Sequence, residues 1–433
     1  MNDFVTVVGA GLAGCEAAWQ LSKRGIPVRL IEMKPVKYSP AHKREGFAEL
    51  VCSNSLKAEQ LSNASGLLKA ELEKLDSLIL RCAYATRVPA GGALAVDRER
   101  FSDAVTKAIL ACPNIELRRE LVSEIPESPC IIATGPLTDE SLSESIRALP
   151  GARALHFFDA AAPIVTADSL DMSKLFFASR YEKGGSDDYL NSAMTEEEYN
   201  AFYDALMEAE LAPLHDFEKK AVFEGCLAVE ILASRGRQTL CYGPLKPVGL
   251  IDPRTGKEPY AVVQLRKENE NGTMFNLVGF QTRLKWGEQK RVFGMIPGLE
   301  NAEFARYGVM HRNTYLDGPA MLGNNFAYKG DPFLRFAGQL SGVEGYMEST
   351  ASGLVAALGL YARLQQQAEP DFGGKTIVGA LARHVCTPTA NFQPMNANFG
   401  ILEPLNERVR SKRLRYEKMA ERALEAMDET LVQ

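Results

Sequence analysis

The chain has 433 residues, 46% of them hydrophobic and 24% charged, with a net charge of −6. That is ordinary globular composition and more length than one core usually holds, so at least two domains are expected. An acidic balance excludes a globally basic nucleic-acid binder, and no apolar run approaches the roughly 18 residues of a membrane span.

From Phe4 to Met33 an apolar run leads into Gly9, Gly11 and Gly14, then into an Ala-rich amphipathic segment closed by Gly25, then into a second apolar run ending at Glu32. The pattern predicts strand, turn, helix and strand. Gly9 permits the turn, Gly11 lets backbone approach a pyrophosphate, and Gly14 lets helix and strand pack closely. With Ala10, Leu12 and Ala13 they form the predicted dinucleotide-binding turn. A helix starting near Leu12 offers unpaired N–H groups and a positive dipole end to the pyrophosphate. Glu32 stands where a carboxylate accepts hydrogen bonds from an adenosine ribose. Because the first strand begins at Phe4, no signal peptide is expected, and a cytoplasmic protein is.

Lys34 to Asn63 lacks helical periodicity and reads as an active-site loop, with Cys52 set among small polar residues in ELVCSNSLKAE. Gly66 to Ala83 has leucines at helical spacing and reads as one core-facing helix. In PAGGALAVDRERF, Asp97 is placed to cap the following helix. Cys130 to Pro136, CIIATGP, is a short buried strand ending in a turn, similar to the strand that returns the chain to the cofactor in two-dinucleotide-type flavoproteins. After Gly151 the texture becomes irregular. Thr195 with Glu198 forms a capping box, and Tyr260–Leu265 and Met274–Phe280 read as strands. Phe223 to Cys226, FEGC, puts a second thiol at a turn. Arg235 to Arg291 carries eleven Lys or Arg against five acids, a place for phosphates on an acidic protein. From Leu334 a second strand, Gly-rich turn and helix (Gly338, Gly342, Gly345, Tyr346) suggests an FAD-type arrangement, a late helix aimed at the flavin. Glu407 to Glu425 predicts a basic helix. The eight cysteines make no CxxC pair and the five histidines are scattered, which argues against a metal site or a disulfide framework.

The expected fold is therefore α/β: a Rossmann-like FAD-binding domain of two-dinucleotide type, in two parts (1–151 and 296–433, the second with the basic C-terminal helix), around a smaller inserted α+β domain (152–295). Nothing in the residues bears on oligomeric state.

The motifs GAGLAGCEAAWQL, ELVCSNSLKA, VPAGGALAVDR, IIATGPLT, FFDAAAPIV, FEGC, GPLKPVGL, FQTRLKWGEQKRVF, MHRNTY, FAGQLSGVEGYMEST and NFQPMNANFG together resemble, over nearly the whole chain, the folate- and FAD-dependent tRNA (uracil-5-)methyltransferases. The resemblance implies that a methylene group from 5,10-methylenetetrahydrofolate is reduced with flavin electrons, replenished by NADH or NADPH, and placed on C5 of the T-loop uridine (position 54) of tRNA. CLAVE after FEG and Arg283 inside FQTRLKWG depart slightly from the family pattern and touch no thiol. Uracil C5 is a poor nucleophile until a thiolate adds at C6. Cys226, in the domain expected to meet RNA, is assigned that attack. Cys52 is assigned to the flavin side, as base or guard, with the reverse assignment open. By resemblance His311 would stack on the pterin and Arg283 would hold the glutamate tail. Lys285 and Arg291 would meet the T-arm. Two alternatives stand beside this: the same chemistry on a ribosomal RNA uridine, and an FAD-dependent oxidoreductase of a small molecule.

Overall fold

A computed structural model describes residues 3–152, 154–160, 162–182, 188–212, 227–308, 310–388 and 392–432. Its first layer is a six-stranded sheet in the order Ala327–Tyr328, Asp331–Phe336, Cys130–Ile132, Val5–Val8, Val28–Glu32, Ile115–Arg119. Five strands run parallel, and Ala327–Tyr328 is the antiparallel edge. Val5–Val8 and Cys130–Ile132 are buried along their whole length, as strands covered on both faces must be, which is why they read as unbroken apolar runs. The chain leaves Val5–Val8 for a neighbour on one side and later returns to Cys130–Ile132 on the other. Such a reversal opens a crevice at the carboxyl ends of the strands, where ligands bind in this class of fold.

Two helices meet beneath that crevice, Leu12–Ser22 and Tyr346–Leu364. Glycines set their approach. A Cβ at Gly14 would lie 1.8 Å from the Gly9 carbonyl oxygen, and one at Gly353 would lie 2.2 Å from that of Ala13.

The expected single helix over Gly66–Ala83 is two, Ala64–Lys74 and Leu78–Ala85. Between them Asp76 takes a left-handed φ of 55° and Ser77 caps the second helix by accepting from the Leu80 N–H. Buried side chains of the first helix hold the break. Gln20 donates to the Leu75 and Asp76 carbonyls at 3.2 Å, and Glu16 accepts from the Ser77 hydroxyl and the Ile79 N–H. Periodicity continues across the break because both helices keep their leucines inward. It therefore could not reveal it.

A second core gathers residues from Val165 to Ala302 around Tyr199, Phe202, Phe280 and Phe293. It lies against an antiparallel six-stranded sheet, ordered Leu175–Phe177, Tyr189–Met194, Ala261–Lys267, Met274–Leu277, Ile164–Thr166, Phe304–Arg306. The Thr195–Glu198 capping box opens its helix Glu196–Glu208, and Asp97 caps Arg98–Leu110 as expected. A two-stranded ribbon pairs Ala154–Ala160 with Met310–Leu316. The basic tail forms the helix Lys412–Val432. Among the described residues no helix is long and apolar enough to cross a membrane.

Candidate functional site

The crevice holds about 1120 Å³ of empty space, part of it open to solvent. One wall is the turn Gly9–Ala13, and Glu32, Lys34 and Glu49 lie along it, with Thr134–Leu142 and Gly338 and Gln339 contributing elsewhere. Val51 and Tyr346 also line it. Gly342 and Gly345 are not among the lining residues. They turn the chain into the late helix with φ of +100° and +120°.

The turn suits an adenine dinucleotide on three counts. Gly11 stands at the N-cap of the first helix with no side-chain cap, so the first-turn N–H groups are left for a ligand. Gly11 lines the cavity, and a Cβ there would meet nothing within 4 Å, so no protein atom crowds this point of the turn. Glu32 accepts from the Ala10 N–H at 2.8 Å and the Lys34 N–H at 3.0 Å, which orients both oxygens and leaves each a lone pair for a ribose. The late helix also starts without a side-chain cap, at Gly345. Tyr346 is its first residue, so its positive end faces the same cavity.

Beside Tyr346 lies Cys52. The Tyr346 phenol accepts from the Cys52 N–H at 2.9 Å and the Ser53 N–H at 3.3 Å, and donates to Cys52 Sγ at 3.2 Å. Burial, then the adjacent Cys52, pushes the phenol well above its ordinary pKa. It therefore remains a donor to sulfur at neutral pH.

Three guanidinium groups lie in electrostatic reach of this thiol. Arg98 pairs with Glu268 and donates to the Leu50 carbonyl at 2.6 Å. Arg266 donates to Asn54 Oδ1 and Ser53 Oγ, both at 2.8 Å. Arg306 has Nε and Nη2 buried without a hydrogen-bond partner, and burial and the nearby Arg98 bring its pKa down to about 10. Arg266 and Glu268 come from the end of a strand in the second sheet, and Asn54 Nδ2 donates back to the Lys267 carbonyl at 2.9 Å. The Cys52 loop is thus where the two units clasp. Sequence reasoning missed Arg98, Arg266 and Arg306, because an arginine in a strand or at a helix start carries no local signature of what it reaches.

The other predicted residues are more dispersed. Cys226, with Glu224 and Gly225, lies outside the described residues. His311 pairs with Asp159 in the ribbon, and its side chain lies outside the described residues. Three residues on, the Thr314 N–H donates to the Pro136 carbonyl of the cavity wall, which ties that strand to the site. Arg283 sits in the second unit, 3.9 Å from Glu230, with Nε buried and lacking a hydrogen bond. Lys285 pairs with Glu210 and Arg291 with Glu288, both on the surface. The basic stretch is less free than its composition suggests: Arg266 turns inward, and Arg237 and Arg254 pair with Asp204 and Asp252. Among the described residues no cluster of His, Cys, Asp and Glu could hold a metal ion.

Fold and site together define a flavoprotein of Rossmann-like FAD-binding type. The family model described as glucose inhibited division protein A matches residues 4–368. Among curated proteins, the methylenetetrahydrofolate–tRNA-(uracil-5-)-methyltransferase TrmFO of Acetivibrio thermocellus is 57% identical over 431 residues, covering 99% of each chain. That of Desulfitobacterium hafniense is 57% identical over 427 residues, covering 98% of each. In fold the chain is similar to Aquifex aeolicus GidA, with a TM-score of 0.71 at 16% identity in crystal form I and 0.70 at 15% in form II, covering 99% of this chain and 76% and 73% of those chains. The chain belongs to the glucose inhibited division protein A family and, within it, to the methylenetetrahydrofolate–tRNA-(uracil-5-)-methyltransferases. The resemblance read from the motifs is borne out, and the protein is an enzyme.

Proposed function

We propose that this enzyme methylates C5 of the T-loop uridine (position 54) of tRNA, drawing the carbon from 5,10-methylenetetrahydrofolate and the electrons from NADH or NADPH through FAD, in the cytoplasm. What supports the reading is the full-length match, at 57% identity, to relatives whose name states transfer from methylenetetrahydrofolate to C5 of a tRNA uracil. Bound FAD would supply the two-electron reduction that turns a methylene into a methyl.

The chain's own residues supply the rest. Gly9–Gly14 and Glu32 hold the adenine dinucleotide, with Gly338, Gly342, Gly345 and Tyr346 shaping the flavin end. Residues 1–151 and the chain beyond Arg306 form the cofactor unit, and the inserted unit forms the RNA side; its core and sheet run past the expected boundary at 295, to Ala302 and Phe304–Arg306, because that last strand pairs with Ile164–Thr166. His311 covers the pterin, and Arg283, whose Nε makes no hydrogen bond although Glu230 lies 3.9 Å away, takes the folate glutamate. Cys226 adds to C6 of the uracil, which makes C5 nucleophilic. C5 then bonds to the electrophilic carbon; a base removes the C5 proton as the bond from that carbon to its carrier nitrogen breaks, and the thiolate leaves C6 as the resulting methylene takes up the hydride equivalent that bound FAD would supply. Cys52 acts on the flavin side, as that base or as a guard, and two features support it: the Tyr346 hydroxyl donating to its sulfur and the surrounding guanidinium groups. The uridine must leave its stack to reach this chemistry, so phosphates flanking it need cations such as Lys285 and Arg291.

Mass spectrometry of RNA from a strain lacking the gene tests the substrate. Loss of 5-methyluridine from tRNA is expected. Loss from ribosomal RNA alone would move the same chemistry to another uridine, and no loss from either would favour a small-molecule oxidoreductase.

A further inference from the structure

Trp286 is 62% exposed although it is the largest apolar side chain on its face. It is not adrift. Its ring lies parallel to Tyr307, with centroids 5.3 Å apart and planes 12° apart, and Tyr307 lies parallel to Phe304 at 4.9 Å and 10°. Phe304 is anchored against the second core. Three rings therefore form a ladder that starts in the core and ends in an open tryptophan. Aromatic pairs in cores prefer offset or edge contacts, and the tilted or edge-on contacts of Phe280 with Phe202 and Phe293 follow that preference. The ladder uses the other preferred geometry, the offset parallel stack, and its open end is a flat face for one more ring.

The chemistry around the platform selects the ring. Trp286 begins the helix Trp286–Phe293, whose N-cap Lys285 makes no side-chain cap, and a Cβ at the next residue, Gly287, would meet nothing within 4 Å. Lys285, Lys290 and Arg291 are exposed on this helix, Lys285 paired with Glu210 and Arg291 with Glu288 in surface ion pairs that a phosphate can displace. A flat ring joined to phosphate is what this surface complements. The platform is joined to the thiol site through the chain. Tyr307 follows Arg306, whose partnerless guanidinium lies in electrostatic reach of Cys52 and Tyr346.

We propose that Trp286 stacks on a nucleobase of the RNA next to the uridine that reacts. Extruding a base strips its neighbour of a stacking partner, and an aromatic face can replace what is lost. Trp286, backed by Tyr307 and Phe304, is the replacement. This inference rests on the RNA reading above and adds the contact by which the opened loop is held.

The chain has two tryptophans, so Trp19→Phe leaves Trp286 as the sole indole reporter. Titrating that holoenzyme with a T-arm hairpin should quench its emission in step with binding, whereas folate alone should not. Trp286→Ala should weaken hairpin binding roughly five- to hundred-fold, the usual worth of one stacked base. Trp286→Tyr should restore most of it, with FAD content constant throughout. Unchanged affinity in Trp286→Ala while the wild type binds RNA would overturn the platform and leave the RNA reading standing. Quenching by folate would assign the ring to the cosubstrate, and quenching that tracks protein concentration without RNA would assign it to a second copy of the chain. Either result overturns the proposal. A wild-type holoenzyme that reduces its flavin yet binds no hairpin would overturn the platform and the RNA reading together.

Discussion

Replacing Gly11 by valine separates a glycine needed by the ligand from one needed by the fold. Gly11 has φ −77° and ψ −169°, extended backbone open to any residue, and a Cβ there meets nothing within 4 Å. The cofactor-free protein should therefore accept the substitution with less than about 1 kcal/mol of cost, a shift in Tm of no more than about 4 °C. The valine side chain would occupy cavity space beside the helix N–H groups meant for the pyrophosphate. Losing one charge-assisted hydrogen bond costs about 1.5–3 kcal/mol, so FAD affinity should fall about ten- to hundred-fold. Gly14→Ala is the contrast. Its Cβ would lie 1.8 Å from the Gly9 oxygen, so the turn itself must move, and Tm and FAD should fall together. The ratio of flavin absorbance to protein after purification, with melting of the FAD-stripped protein, reads both effects. If Gly11→Val keeps stoichiometric FAD at wild-type affinity, the pyrophosphate does not lie on this turn.

The remaining expectations concern the substrates. His311→Ala should lower folate-dependent methylation while FAD content stays constant, and unchanged folate kinetics would remove His311 from the site. Charge reversal at Lys285 and Arg291 should weaken T-arm binding and reduce its salt dependence by about one phosphate contact each. Stability should change little, since exposed ion pairs such as those with Glu210 and Glu288 are screened by water and contribute little. Binding insensitive to salt would argue for a small-molecule substrate. With 5-fluorouridine in the T-arm the C5 fluorine blocks the final elimination and traps the C6 adduct, and peptide mapping should find it on Cys226. Finding it on Cys52 would reverse the two roles.

What could be read from residue order was whatever depends on local chemistry. The strand, glycine turn, helix and acid of Phe4–Glu32 are one continuous segment whose glycines each answer a steric demand within it. The Thr195–Glu198 box and the Asp97 cap are local in the same way. The break at Asp76–Ser77 was hidden because Glu16 and Gln20, about sixty residues earlier, hold it. The surroundings of Cys52 were hidden for the same reason: Tyr346, Arg98, Arg266 and Arg306 come from four separate segments, brought together only when the second sheet clasps the first unit. The basic stretch was legible as composition and misleading as surface, since composition does not reveal that Arg266 points inward or that Glu210 stands beside Lys285.

The central claim is that this chain moves a one-carbon unit from folate to a tRNA uridine. Purified holoenzyme, given NAD(P)H, T-arm-containing tRNA and 5,10-methylenetetrahydrofolate labelled with carbon-13 in the methylene, should yield 5-methyluridine in the T-loop carrying that label in its methyl group. An identical reaction with labelled S-adenosylmethionine in place of the folate should yield none. Label arriving from S-adenosylmethionine, or no labelled 5-methyluridine from folate with active, FAD-replete protein, would contradict the account.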